Sequence, residues 1–311
     1  MRDELIVATK IAISTCVIYA IGQRVELGQM VASLHQADPL HLGVAIMLAV
    51  LAVPAVSFRW RMLAAMFSVR LSNTLATQAT FAGLFVGQVL PGAIGADVVR
   101  GWMVWHLGLS NKMVIASLVA DRIISLAAVG LMILLALPAL VPHLPEPMAT
   151  VVRLGLVGGM FVALTSLVAA RFLTSRRLTS WQQLIQHKFE AAGVRPSRKT
   201  IFRSLLLATL GHALVILSAY FLSLAMKVES SLWMWWLVMP IVTLVTAIPI
   251  SINGWGIREL AMVQLWALFN VSKSDAFLIS ICMGLVAIVS SLPGLWFWLA
   301  RRRRTQIATN S

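Results

Sequence analysis

The sequence predicts an all-α protein that crosses a membrane several times, and three observations carry this prediction. Hydrophobic residues fill 59% of the 311 positions, whereas charged residues fill only 12%, and the mean hydropathy is +0.89. Several uninterrupted apolar runs approach the roughly 20 residues that a helix needs to cross the hydrocarbon core of a bilayer. Basic residues fall mostly between these runs, where they are typical of topology signals and of contacts with anionic lipids.

The charge and the cysteine content exclude several other classes of protein. A net charge of +14 would favour nucleic-acid binding in a soluble protein, but its placement between apolar runs argues against that class. Cys16 and Cys282 each lie inside an apolar segment and lack the spacing and the companion histidines of a metal site. We therefore expect no metal, no cofactor and no nucleic-acid partner.

Six apolar segments are long enough to cross the membrane once modest tilt is allowed. They are residues 4–21, 41–57, 113–137, 151–170, 204–226 and 277–300. The first of them follows a mixed-charge start and has no cleavage signal behind it, so we expect a retained helix rather than a removed signal peptide.

The distribution of lysine and arginine assigns the connecting segments to the two sides of the membrane. Residues 171–203 are strongly basic and 301–304 are all arginine, whereas 138–150 contain neither lysine nor arginine. By the positive-inside rule, 171–203 and both termini are cytoplasmic and 138–150 is outside. The basic segment 58–70 is placed inside on the same ground, with Arg59 as one of its topology signals.

With the connecting segments assigned in this way, two segments must enter the membrane and leave it on the same side. Residues 71–112 lie between two cytoplasmic ends, and residues 232–271 lie between two outer ends. Each is therefore predicted to form a re-entrant helical hairpin, and the two hairpins open to opposite faces. The alternative is a full crossing by 232–250 with a return by 257–271, but that return gives only about 22 Å of helix against a core of about 30 Å.

The two hairpins resemble each other in sequence. The first turns at Pro91 and Gly92 and the second at Pro249, and each turn is followed by an acid and an arginine. With their flanking helices they indicate an inverted-topology repeat, of about 41–137 and about 204–300, whose broken helices would place a substrate site near the middle of the membrane.

Residues 171–203 connect the two predicted repeats. Trp181, Leu184 and Phe189 recur there at the spacing of one helix face, with basic residues nearby. We expect an amphipathic helix that lies on the cytoplasmic leaflet, within a single transmembrane domain that covers 1–311.

Six charged residues lie in or next to the apolar segments, where a charge costs about 2.5–3.5 kcal/mol near the bilayer centre. They are Asp97, Arg100, Asp121, Arg122, Arg258 and Glu259. We expect them to face a shared polar interior, in which the arginines receive a phosphate and the acids orient the arginines or take a cationic group. The structural alternative is that each acid neutralises its neighbouring arginine and only locks a hairpin to the bundle.

The turns themselves add to this candidate site. Backbone N–H groups after the break at Pro91 and Gly92 would supply further donors to a phosphate at a helix start. Asn253 in the second turn and Gln88 in the first offer hydrogen bonds to a head group. Turn capping is the ordinary role of an asparagine such as Asn253.

Three stretches, LPGAIGADVVRGWMVWHLG, ASLVADRIISLAAVG and IPISINGWGIRELAM, make most of the chain resemble the lysylphosphatidylglycerol synthase transmembrane-region family. That family is marked by a proline-glycine turn with a downstream aspartate and arginine, an aspartate-arginine in the next helix, and a late arginine-glutamate. By this resemblance, the functional positions are Pro91, Gly92, Asp97, Arg100, Asp121, Arg122, Gly256, Arg258 and Glu259. The chain departs from the pattern at Ala96, where the family often has glycine, so we expect a less tightly bent turn.

The resemblance implies a lipid flippase of the bacterial inner membrane, because in the fused family enzymes this module is thought to move an aminoacylated phospholipid. No aminoacyl-transferase domain follows 301–304, so lysyl transfer is not expected, and the leading interpretation is a protein that is not an enzyme. The expected substrate is an anionic phospholipid or a polyprenyl-phosphate-linked lipid.

Two other functions stay open at this point. One is a membrane-embedded lipid-phosphate transferase with Asp97 or Asp121 as general base, although no metal cluster or paired nucleophile appears. The other is a non-catalytic partner that holds a separate lipid-modifying enzyme on the 171–203 surface. A second copy of the chain is a further candidate partner.

Overall fold

Four of the six predicted crossings are long apolar helices in a computed structural model of the protein. The structure describes residues 36–88, 95–105, 107–150, 153–154, 197–248, 251 and 253–300. Within these ranges, the helices that are long and apolar enough to cross a membrane are Pro39–Met66, Asn111–His143, Arg198–Ala225 and Lys273–Ser291. These are the helices of a multi-pass membrane protein.

Several predicted features lie outside the described residues. They are the crossing 4–21, nearly all of the crossing 151–170, the linker from 171 to 196, the turn residues Pro91, Gly92 and Pro249, and the basic tail 301–304.

Eight α-helices, numbered in chain order, make up most of the part of the chain that the structure describes. They are α1 (Pro39–Met66), α2 (Asn73–Gly87), α3 (Gly95–Trp105), α4 (Asn111–Leu140), α5 (Arg198–Ala225), α6 (Leu232–Thr246), α7 (Ile257–Trp266) and α8 (Lys273–Ser291). Short 3-10 turns, Val141–His143 and Ala267–Phe269, follow α4 and α7, and residues 293–300 are helical beyond α8. The described ranges contain no β-strand, so the all-α prediction is confirmed there.

Polar side chains mark where four of the helices begin. The Asp38 carboxylate accepts a hydrogen bond from the Leu40 N–H at 2.8 Å at the start of α1. Ser72, Ser197 and Ser272 cap α2, α5 and α8 in a similar way. Because each cap satisfies one of the unpaired N–H groups of the first turn, these residues fix the starting point of each helix.

The helices fall into two groups of four, and the first three helices of each group match in length, whereas α4 has 30 residues and α8 has 19. α1 and α5 both have 28 residues, α2 and α6 both have 15, and α3 and α7 have 11 and 10. α1 and α5 also end alike, because Ser68 and Lys227 adopt positive φ angles of 60° and 56°. The next residues, Val69 and Val228, each donate a backbone hydrogen bond of 3.0 Å back to the preceding helix. Such left-handed endings satisfy the last carbonyl groups of a helix.

α1 and α5 pack side by side and run antiparallel. The N–H of Asp38, just before α1, donates to the carbonyl of Ala225 at the end of α5, at 2.9 Å. Further along, the Ser218 hydroxyl of α5 donates to the Ala45 carbonyl of α1 at 2.7 Å. Residue numbers rise along α1 while they fall along α5, so the first helices of the two groups point in opposite directions.

α2 and α3 form one helical hairpin, and α6 and α7 form another that enters from the opposite end of the bundle. The first hairpin begins just after α1 and ends just before α4, so both of its ends lie where α4 starts. The second has both ends where α4 finishes, since the His143 ring lies 5.6 Å from the Trp233 ring and 4.9 Å from the Phe269 ring. The end of α2 meets the segment just before α7, because Asn253 Nδ2 donates to Gln88 Oε1 at 2.5 Å.

Buried apolar side chains form one cluster around each hairpin. Trp60 and Met103 belong to the first, which joins α1, α2, α3 and α4. The second cluster surrounds α6 and α7 and contains Trp235, Met262 and Trp266. Its two indole rings lie 4.5 Å apart. Each hairpin is therefore anchored by its own set of large side chains.

Close packing inside the first hairpin depends on two glycines of α2. A Cβ atom at Gly83 would lie 2.6 Å from the Ala96 carbonyl oxygen, and one at Gly87 would lie 3.2 Å from Ala96 Cβ. A distance of 2.6 Å is too short for real atoms, so this crossing needs glycine, as small-residue contacts between membrane helices generally do. The contact holds α3, and with it Asp97 and Arg100, against the inside of the bundle.

Candidate functional site

Five charged side chains from three helices form one hydrogen-bonded group, called here the charge cluster. Its members are Arg59 of α1, Asp97 and Arg100 of α3, and Asp121 and Arg122 of α4. Asp97 Oδ1 accepts from Arg100 Nη1 at 3.0 Å, and Asp97 Oδ2 accepts from Arg122 Nε at 2.5 Å. Asp97 therefore joins the arginine of its own helix to that of α4.

Asp121 forms the second centre of the charge cluster. Its Oδ1 accepts from Arg59 Nε at 2.7 Å, and its Oδ2 accepts from Arg59 Nη2 at 3.2 Å, a two-bond contact of the kind that guanidinium and carboxylate groups favour. Asp121 Oδ2 also accepts from Arg100 Nη1 at 3.0 Å. Since Arg100 Nη1 reaches both aspartates, it connects the two centres.

The local sequence explains how α3 presents its charges. Asp97 and Arg100 are three residues apart and so share one helix face. The Arg100 guanidinium lies 4.3 Å from the centre of the Trp60 ring, a cation–π contact that partly replaces lost hydration. Trp60 is itself fixed by a hydrogen bond of 3.3 Å from its Nε1 to the buried Ser117 hydroxyl. Tryptophan in α1 and serine in α4 thus hold the arginine in place.

The charge cluster carries more positive than negative charge, with three arginines against two aspartates. Arg100 is 5% exposed, and its Nε and Nη2 have no hydrogen-bond partner among the described residues. Burying N–H groups that have no acceptor is costly, and an anion that accepts hydrogen bonds from guanidinium groups would offset that cost.

A cleft of about 670 Å³ lies between α3 and α4 and reaches the charge cluster. Asp97 and Arg122 are part of its wall, and the Arg122 side chain is 42% exposed. Most of the remaining wall is apolar, and five of its side chains are largely exposed. These are Val98, Trp105, Ile115, Val119 and Ile123. Among its described residues, the cleft therefore combines a mostly apolar wall with one half-exposed arginine.

A second polar group, called here the closed cluster, consists of Arg258, Glu259 and Ser280. Glu259 Oε1 accepts from Arg258 Nη2 and from the Ser280 hydroxyl, both at 2.9 Å. Its other oxygen accepts from the Gly256 backbone N–H at the start of α7. Arg258 also lies over the Trp255 ring, 4.7 Å from its centre. Glu259 is fully buried, and the charges of the closed cluster cancel.

The turn before α7 requires glycine at two positions. Gly254 and Gly256 have φ angles of +82° and +87°, which other residues rarely adopt. Asn253 has a φ angle of +45°, and its side chain bonds to Gln88 of the first hairpin. Gly284 of α8 leaves room for Trp255 and Arg258, because a Cβ there would lie 2.4 Å from the Trp255 ring.

The structure groups the predicted site residues differently from the sequence analysis. Asp97, Arg100, Asp121 and Arg122 come together, but Asp121 binds arginines of other helices rather than its neighbour Arg122. Arg258 and Glu259 do not share that interior. They form the closed cluster between α7 and α8, outside the described wall of the cleft, because α7 belongs to the other hairpin.

Arg59 has a role that the charge pattern does not predict. The pattern predicts a topology signal beyond the end of a crossing, but Arg59 lies within α1, is 5% exposed and is bonded to Asp121 inside the bundle. The signal that could have identified it is the apolar run that continues after it, from Met62 to Met66, which places Arg59 within a helix rather than beyond its end.

The comparisons with known proteins agree with this architecture. The sequence model of the family described as "Lysylphosphatidylglycerol synthase TM region" matches residues 7–294, nearly the whole chain. No protein with a curated description matches closely enough to extend this finding. Among the described residues, no group of three or more histidine, cysteine, aspartate or glutamate side chains is placed to hold a metal ion.

Proposed function

Because the chain belongs to the lysylphosphatidylglycerol synthase TM-region family, we propose that it is a lipid translocase. In this proposal the phosphate of a lipid head group binds at the charge cluster, and the lipid tail lies along the cleft. The observation that carries the proposal is the half-exposed Arg122, which lies with Asp97 in a cleft wall whose other described residues are mostly apolar.

The side chains that line the cleft match the two parts of an amphiphilic ligand. An apolar tail suits Ile115, Val119 and Ile123, which lie on successive turns of one face of α4. A phosphate suits Arg122 on the same helix, because guanidinium groups bind phosphate oxygens through two parallel hydrogen bonds. Both an anionic phospholipid and a polyprenyl-phosphate-linked lipid combine these two parts.

The hairpins favour transport over simple binding. α2 and α6 have 15 residues each, or about 22 Å of helix, which is shorter than a bilayer core of about 30 Å. We propose that both hairpins are re-entrant, with turns at membrane depth that water reaches only through a cavity. A head group that reaches such turns has crossed half of the membrane.

We further propose that the two groups of helices form an inverted repeat. This relation is supported by the matching lengths of the first three helices of each group, by the shared left-handed endings, and by the antiparallel α1 and α5. In transporters built this way, substrate sites lie near the midplane between the repeats. The topology that goes with this repeat has both termini on the cytoplasmic side of a bacterial inner membrane and Val141–His143 outside.

Purified protein in liposomes that contain head-group-labelled phosphatidylglycerol tests the proposed function. We expect the wild type to move the labelled lipid between leaflets. The measurement is the fraction of the fluorescent label that dithionite, added outside the liposomes, quenches. Arg122→Gln is expected to slow this movement at least about tenfold, because it removes charge-assisted hydrogen bonds worth about 1.5–3 kcal/mol. Arg70→Gln, at an exposed arginine in the connection before α2, is the matched control and should keep the wild-type rate.

The same liposomes separate the alternative functions. A lipid-phosphate transferase would change the mass of the recovered lipid, whereas a translocase returns it unchanged. A protein that only holds a separate enzyme at the membrane would neither move nor modify the lipid. Wild-type protein that leaves the label in place would contradict the proposal.

A further inference from the structure

We propose that Asp97 occupies the place of the substrate phosphate and must be displaced from Arg122 when the lipid head group binds. This inference rests on the proposed function and assigns Asp97 a specific part in it. Asp97 is thus a competitor built into the site, and it determines how tightly the site holds an anion.

The first argument is the position of the Asp97 carboxylate. It lies in the wall of the cleft and accepts from Arg122 Nε at 2.5 Å and from Arg100 Nη1 at 3.0 Å. Two arginines on adjacent helices that converge on one pair of oxygens form the same arrangement that a phosphate group would accept. A phosphate in the cleft therefore meets arginines that Asp97 already engages.

The second argument is that the two arginines differ in what they lose when Asp97 leaves. Arg100 keeps its bond to Asp121 Oδ2 at 3.0 Å, so it stays partly neutralised. Arg122 is 42% exposed to the cleft, so it can follow an incoming ligand. Displacement of Asp97 therefore does not leave a buried arginine without an acid.

The third argument is the contrast with Asp121. Asp121 is 2% exposed, does not belong to the described wall of the cleft and is held by Arg59 through two hydrogen bonds. It carries the same charge as Asp97 in the same cluster, but a ligand in the cleft does not reach its place. The geometry therefore divides the two acids into one that a ligand exchanges with and one that stays.

A competitor of this kind would keep transport fast. An anion site without Asp97 would hold the phosphate with the full attraction of the arginines and release it slowly. With Asp97 present, the carboxylate returns as the phosphate leaves, so the arginines are never without a partner. Loss of the Asp97 charge should thus tighten binding and slow release.

The experiment compares Asp97→Asn with Asp121→Asn by measuring the Kd of dioctanoyl phosphatidylglycerol for each purified variant with native mass spectrometry. Asp97→Asn is expected to lower this Kd on the order of tenfold, within the usual range of coupling between two ligands of one site. Asp121→Asn removes the same charge and is expected to lower it much less. Equal tightening by both variants would assign the effect to net charge and overturn the inference.

One further variant and two further ligands make the test independent of any single substitution. Asp97→Glu keeps the competing charge and should bind no tighter than the wild type, so tightening equal to that of Asp97→Asn would overturn the inference. Dioctanoyl phosphatidylcholine should gain little from Asp97→Asn, because its head group has no net negative charge. A gain for inorganic phosphate without one for phosphatidylglycerol would also contradict displacement by a lipid head group.

The outcomes distinguish this inference from the function on which it rests. If the wild type neither binds nor moves phosphatidylglycerol, the proposed function fails. If the wild type binds and moves it but Asp97→Asn does not tighten binding, the function stands and only the role of Asp97 is wrong. Monodispersity in detergent, checked for every variant, ensures that folded proteins are compared.

Discussion

The charge cluster and the closed cluster place an acid at the same point of two short helices but use it differently. Asp97 is the third residue of α3, and Glu259 is the third residue of α7. Glu259 points back to the Gly256 N–H at the start of its own helix and to Arg258 and Ser280, and it is fully buried. Asp97 instead binds arginines of α3 and α4 at the wall of a cleft.

The bonding of these two acids therefore shows that charged residues within the bundle need not share one role. In the closed cluster every charge has a local partner, which is the arrangement expected of a structural lock. Among the described residues, the charge cluster has three arginines and two aspartates, and Arg122 is half-exposed, which is the arrangement expected of an anion site. If that division is real, substitutions in the closed cluster should lower stability, whereas substitutions in the charge cluster should change lipid binding and movement.

Glu259→Gln should cause the largest loss of stability. It leaves the guanidinium of Arg258 buried without a counter-charge, a change that costs about 3–5 kcal/mol in buried pairs. Thermal unfolding in detergent should show a marked fall in Tm, whereas Glu146→Gln, at a side chain that is 78% exposed, should show none. Asp97→Asn should cost less than Glu259→Gln, because Arg100 keeps Asp121 and Arg122 reaches the cleft.

A Glu259→Gln protein that is as stable as the wild type but moves lipid more slowly would contradict a structural role for the closed cluster. It would mean that the closed cluster contacts the substrate rather than locking its hairpin.

Arg122→Lys should separate charge from geometry at the charge cluster. Lysine keeps the positive charge but lacks the planar fork that binds two phosphate oxygens at once. We expect lipid movement in liposomes to fall about fivefold, which corresponds to about 1 kcal/mol. The Tm should stay close to that of the wild type because the side chain is half-exposed. A wild-type rate in Arg122→Lys would show that the fork is not needed at this position.

Asn253→Ala should loosen the contact between the end of α2 and the segment just before α7. It removes the hydrogen bond to Gln88, and a single hydrogen bond contributes about 0.5–1.5 kcal/mol to stability. Gln88→Ala is the matched variant, and the double variant should be no less stable than either single one, because both remove the same contact. Fully additive losses of Tm would show that the two side chains act independently.

Val119→Trp should narrow the cleft without touching a charge. Val119 lines the cleft and is 52% exposed, so an indole ring fits there but occupies space proposed for the lipid tail. We expect a fall of about threefold in lipid movement, or about 0.7 kcal/mol. Leu206→Trp, on the exposed face of α5, is the control and should leave the rate unchanged. Equal effects of both variants would indicate a general disturbance rather than a blocked cleft.

Much of the fold was predictable because it follows from length and hydropathy. Apolar runs long enough for a bilayer predicted the four long helices that the structure describes. The break after α2 was visible in sequence as proline and glycine, which end helices. The charges at Asp97 and Asp121 were equally visible, since acids in apolar segments are rare unless they have a partner.

The pairing of those charges was not predictable from sequence spacing. Neighbours in sequence, such as Asp121 and Arg122, point to different sides of a helix, and their partners depend on how helices pack. Arg59 was missed for a related reason, because basic residues near the end of an apolar run usually mark the membrane surface. Only the approach of α1 to α4 reveals its true partner, Asp121.

The central claim is that a lipid phosphate binds Arg122 in the cleft, and a distance measurement tests it most directly. Solid-state NMR of protein with labelled arginine in phosphatidylglycerol bilayers measures the separation of guanidinium carbon and lipid phosphorus through their dipolar coupling. Hydrogen-bonded contact predicts a separation of about 4 Å. Because other arginines also meet lipid phosphates, Arg122→Lys should lower the coupled signal by the share that Arg122 contributes, and a double variant with Arg70→Gln should lose a further, separate share. A coupled signal of full wild-type strength in Arg122→Lys, or none in the wild type, would show that the phosphate does not bind Arg122.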